Sequence, residues 1–198
     1  MSPLITTKAS ASAQGYGLFS PTAVVAGNYY SIQTVTVGSG GASAINFSSI
    51  PSTYTHLQIR YIVKGSGSTS IGGAPWRFNS DSGTNYTWHY LVGDGSSVAA
   101  GGNGTGLTSG NWGETYVDGT VGGIYTVGIM DILDYASTNK NKTIRHFFGE
   151  DMNGSGKVEF FSGSWLNSSI AVNAINYTIN GGSTTITQYS QFALYGVK

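Results

Sequence analysis

The 198-residue chain contains no cysteine, which excludes a disulfide scaffold, a thiolate zinc site and thiol catalysis together. It is also poor in charge. Nine Lys and Arg stand against nine Asp and Glu, 9% of the chain, where a soluble globular protein carries about a quarter. With a formal net charge of zero there is no basic stripe to neutralise phosphates, so nucleic acid is not expected as a partner. No apolar run approaches the length that spans a bilayer, and Met1 to Pro21 lacks the basic start and continuous apolar stretch of a secretory leader, so neither a membrane nor a leader is expected. Helical periodicity is missing as well, because nowhere does an apolar 3.6-residue repeat persist for three turns.

The groups that do chemistry are few. His56, His89 and His146 form neither a His-x-His nor a His-Glu-x-x-His pair, and no Gly-x-Ser-x-Gly elbow occurs despite the abundance of both residues. Asp131 and Asp134, placed on a strand, point to opposite faces and cannot flank one glycosidic bond. The run from Asp151 to Gly156 opens like a calcium loop, but Ser162 stands where the bidentate Glu belongs. A plain Asn153-Gly154 hairpin accounts for it better. No catalytic residue, metal ligand or cofactor is therefore expected, and the chain reads as a non-enzyme.

In place of charge the chain carries Ser, Thr, Asn and 30 Gly, a surface with little repulsion between copies that suits a protein packed against other subunits. Segments rich in Val, Ile, Thr, Tyr and Phe alternate with Gly/Ser/Asn clusters, which predicts an all-β antiparallel two-sheet sandwich, of jelly-roll type, over residues 29–198. Leu57 to Lys64 alternates cleanly, with Leu57, Ile59, Tyr61 and Val63 on the core face. Ile124 to Leu133 is apolar on both faces and should be a central strand, or one held between core and partner. Residues 1–28 are too poor in apolar side chains to build a core and are expected to be a docking arm. Gly93 to Gly123 reads as a long Gly-rich loop carrying Trp112 and Tyr116. Of the four tryptophans, Trp88 and Trp165 lie in strand patterns and are assigned to the core. Trp76, Trp112 and Tyr116 are the candidates for exposed binding, to a sugar ring or a subunit interface.

Several phrases spread over nearly the whole chain carry a resemblance: Ala11-Ser12-Ala13-Gln14-Gly15-Tyr16-Gly17, Val35 to Gly41, Ile50 to Arg60, Phe78-Asn79-Ser80-Asp81, Asp131 to Tyr135 and Phe192 to Gly196. In these the chain resembles small β-sandwich virion proteins of tailed bacteriophages, of tail-fibre, adhesin or decoration type. The resemblance implies a location in the virion, other virion proteins as partners, a homo-oligomer with a trimer favoured, and a host surface glycan as a possible ligand. It also implies that the arm, with Ala13, Gln14, Tyr16 and Phe19, attaches the protein to the particle. A capsid decoration (cement) protein and a glycan-degrading appendage enzyme are the alternative readings.

Overall fold

A computed structural model describes residues 28–67, 71–116, 123–152, 154–180 and 185–198. In chain order the strands are β1 (Tyr29–Thr36), β2 (Ile45–Phe47), β3 (His56–Val63), β4 (Gly65–Ser66), β5 (Ile71–Phe78), β6 (Tyr86–Gly93), β7 (Val98–Leu107), β8 (Gly110–Tyr116), β9 (Thr126–Leu133), β10 (Lys142–Asp151), β11 (Gly156–Trp165), β12 (Ile175–Tyr177), β13 (Thr185–Ile186) and β14 (Gln191–Val197). Among the described residues there is no helix, and the protein is an all-β sandwich.

The larger sheet has eight strands in the order β1-β14-β3-β9-β10-β11-β6-β7; a four-stranded sheet, β2-β12-β5-β8, lies against it, and β13 and β4 form a short separate pair. Neighbouring strands pair antiparallel throughout. Period-two alternation explains the inward face: Ile144, His146 and Phe148 of β10 point in, while Arg145 and Phe147 between them point out. Inward residues of both sheets, among them Ile59, Met130, Ile132 and Phe192 from the large sheet and Phe47, Trp76, Phe78 and Tyr177 from the small one, form one buried core. As expected from its two apolar faces, β9 is central, paired with β3 on one side and β10 on the other.

Turn chemistry follows the side chains. Asn79 and Ser80 take positive φ, 52° and 58°, between β5 and β6. The amide side chain of Asn79 then reaches across the loop, its Oδ1 accepting from the Asn173 and Ala174 amides at 2.9 and 3.1 Å. Between β10 and β11 the ladder runs out to Asp151 opposite Gly156, and the Met152 amide donates to the Ser155 carbonyl at 2.8 Å. The two strands thus join as a hairpin, and Asn153 of the expected Asn153-Gly154 turn lies outside the described residues.

Two expectations need correction. The stretch from Gly93 to Gly123 is not one long loop, because β7 and β8 occupy most of it. Its glycines make room for neighbouring rings: a Cβ on Gly101 would stand 2.7 Å from the Tyr90 ring, and one on Gly113 2.9 Å from the His146 ring. A strand whose side chains are supplied by its neighbours carries no period of its own. The alternating segments also predict about ten strands; among the described residues there are fourteen, because β4, β7 and β8 add three and the stretch from Thr185 to Val197 divides into β13 and β14. The expected docking arm, with Ala13, Gln14, Tyr16 and Phe19, lies outside the described residues.

Candidate functional site

The tryptophans expected at the surface are in the core. Trp76 and Trp112 are both 0% exposed. Trp76 packs on Tyr177 at 4.6 Å between ring centroids and on Tyr61 at 6.2 Å. Trp112 lies against Phe78 and Tyr86, covers Gly163, and donates its indole N–H to the Thr87 carbonyl at 3.1 Å. Burial removes both from any surface ligand in this fold. Tyr116 ends β8, and its side chain lies outside the described part. Trp165 is buried as expected, with its N–H on the Asp81 carboxylate at 2.6 Å, and Trp88 is partly buried against the core.

Polar groups that are distant in sequence meet inside the sandwich. His146 is fully buried, accepts the Tyr61 hydroxyl at Nε2 (2.8 Å), and donates from Nδ1 to the Trp112 carbonyl. Burial pulls its pKa down to about 4, so the ring is neutral near pH 7. At one end of the same face, the Lys157 ammonium joins Glu114 of the small sheet to Glu159 of the large one, the second contact at 2.6 Å. Burial raises the Glu159 pKa, an effect that Lys157 partly offsets. Burial likewise raises that of Glu150, which accepts the Thr126 hydroxyl at 3.0 Å. Burial alone would lower the Lys157 pKa, but the two carboxylates outweigh it and hold it above the ordinary value.

Beside this group a hollow of about 300 Å³ is lined by Trp88, Tyr90, Asn111 and Phe161. Two carboxylates near an aromatic wall invite comparison with a glycosidase pair. Here the space between them, where a glycosidic oxygen would have to sit, is filled by the Lys157 ammonium. The arrangement clamps β8 to β11.

The outer face of the large sheet is different in kind. Across β9, β10, β11 and β6 the register aligns Ile129, Phe147, Phe160 and Leu91 on one rung, and Val127, Gly149, Val158 and Gly93 on the next. Ile62 of β3 and Val98 of β7 extend the second rung at its two ends. All eight bulky side chains are exposed, Phe147 at 53%. At the second-rung glycines the surface dips, into a hollow of about 600 Å³ between Val127, Phe147, Gly149 and Val158 and one of about 290 Å³ over Gly93. One border is polar: Asp131 accepts from Gln58 at 2.8 Å and from Arg145 at 3.2 Å, and the Arg60 guanidinium lies over the Tyr29 ring.

No family model, curated protein or solved structure matches the chain. The band therefore has to be read from its own chemistry. An isolated Leu or Phe on a surface is ordinary, but eight in adjacent register on one sheet face form a patch of the size that marks an interaction site. Part of it was legible in the sequence, since Val127 and Ile129 are the second apolar face of β9. Phe147, Phe160 and Leu91 each read as one half of an alternating strand, and only the strand register aligns them.

Proposed function

We propose that the protein is a structural subunit that works by assembly, burying the outer face of its eight-stranded sheet against another subunit. The observation that carries this is the continuous apolar band across β3, β9, β10, β11, β6 and β7. At on the order of 100 Å² per side chain, eight such residues offer roughly 800 Å² per copy, which matches the about 800 Å² per partner of a standard interface. Leaving that area in water forgoes on the order of 20 kcal/mol of apolar burial, before association costs.

The resemblance to virion proteins of tailed phages gives this subunit its setting: an appendage of the particle, most simply a tail fibre, with a jelly-roll-like sandwich and an N-terminal arm that docks it. Its work is assembly and attachment, to a host surface glycan in that setting, and it is not catalysis. The Lys157 clamp supports the last point, since its ammonium sits between the Glu114 and Glu159 carboxylates. Phe147→Asp tests the proposal. Light scattering of the purified chain should show a single species above monomer mass, and the variant should fall to monomer while keeping its circular dichroism. In particles carrying the variant, electron microscopy with a label on this protein should find the label lost. A wild-type chain that is monomeric at tens of micromolar, with labelled particles unaffected by the variant, would remove the proposal.

A further inference from the structure

The two rungs of the outer band differ in size. Ile129, Phe147, Phe160 and Leu91 are large; the residues two positions along the same strands, Val127, Gly149, Val158 and Gly93, are small or absent as side chains. Phe147 and Leu91 thus each stand beside a glycine recess, and Ile129 and Phe160 beside the smaller valines. We infer that this face pairs with the same face of a second copy across a two-fold axis lying in the interface, between the two rungs and perpendicular to the strands. The inference rests on the assembly reading above and names the partner that the band fits.

Such an axis turns the second copy over and exchanges its rungs. Phe147 then enters the hollow over Gly149 of the other copy, Leu91 enters the hollow over Gly93, and Phe160 and Ile129 meet Val158 and Val127. The contacts occur twice, as an isologous interface requires. An axis along β10 would instead set Phe147 against Phe147 and Gly149 against Gly149, leaving that hollow empty and its lining without contacts. The recess at Gly149 is built into the strand pair, because a Cβ there would come 2.5 Å from the Lys157 carbonyl oxygen. The same axis carries charge onto opposite charge. Arg145 lies three residues before Phe148 and Asp151 three residues after it on β10, so each falls over the other's position in the second copy. With strands antiparallel across the interface, two twisted sheets meet in the aligned packing that sandwiches use.

The chain has no cysteine, so single cysteines can be introduced for nitroxide labels without background. Thr143 lies five residues from the axis along β10, and Ala99 lies near the axis line on the sheet-edge strand β7. From strand rise, strand spacing and sheet separation, the label pair at Thr143→Cys should lie about 35 Å apart and that at Ala99→Cys about 20 Å apart. An axis along the strands would reverse that order. The pairing variant is Gly93→Leu, because a Cβ at Gly93 meets nothing within 4 Å and the substitution fills only the recess that receives Leu91. It should melt like the wild type and weaken pairing at least tenfold.

A two-subunit mass with the longer distance at Thr143, and loss of pairing in Gly93→Leu, is the expected result. A three-subunit mass, or reversed distances, with Phe147→Asp still breaking the assembly, would overturn the two-fold pairing and leave the assembly reading standing. A chain that is monomeric with and without Phe147→Asp would overturn both. A monomer that dimerises only when residues 1–27 are removed would assign the band to the chain's own N-terminal segment and overturn the inference.

Discussion

Replacing His146 with glutamine separates a buried titration from the packing around it. The histidine is wholly enclosed between Tyr61, Trp112 and Phe148, and both ring nitrogens are used. A glutamine amide can accept from the Tyr61 hydroxyl and donate to the Trp112 carbonyl, so the hydrogen bonds survive and the proton uptake does not. In the folded protein His146 takes up a proton only near pH 4, against 6.5 for the free side chain. Between those values the unfolded chain binds more protons, so this group's contribution is complete above about pH 6.5 and is lost as the pH falls toward 4. The interval of about 2.5 pH units corresponds to about 3 kcal/mol. Glu150 and Glu159 act in the opposite sense: burial raises their pKa values, so what they contribute is present at low pH and is lost as pH rises through the folded values. Both proteins share that term. Urea unfolding at about pH 7 and about pH 4.5 should therefore show the wild type losing about 2–3 kcal/mol relative to His146→Gln, whatever constant offset the smaller side chain introduces. Parallel stability curves for the two proteins would mean that His146 reaches water in the folded state, and the buried Tyr61–His146–Trp112 chain would be refuted.

Trp112→Ala should cost about 3–5 kcal/mol, because it empties a fully buried site under Phe78 and Tyr86 and strands the Thr87 carbonyl; unchanged thermal unfolding would contradict its place in the core. Lys157→Met should destabilise the fold by about 3–5 kcal/mol near neutral pH, since Glu159 keeps its burial and loses its counter-ion. That loss should shrink as the pH is lowered and the carboxyl protonates, and a denaturation series that shows no such recovery would argue against the clamp.

The alternation of apolar and polar residues determined the fold class and most of the strands, because a strand with one buried face writes period two into its own residues; Leu57 to Val63 is the plainest case. The two apolar faces of Val127 to Leu133 were equally legible as a central strand with something to cover outside. Tertiary structure decided the rest. Trp112 stands in a glycine-rich stretch, which in one dimension looks like loop; in three, Gly101, Gly102 and Gly113 are the space into which the Tyr90, His89 and His146 rings fit. Glu114 lacks any basic neighbour in its own segment and finds Lys157 forty-three residues away in the other sheet. The outer band is likewise invisible strand by strand: Phe147, Phe160 and Leu91 are brought side by side by register alone, and a shift of one residue in any pairing would have turned that strand's side chains to the other face.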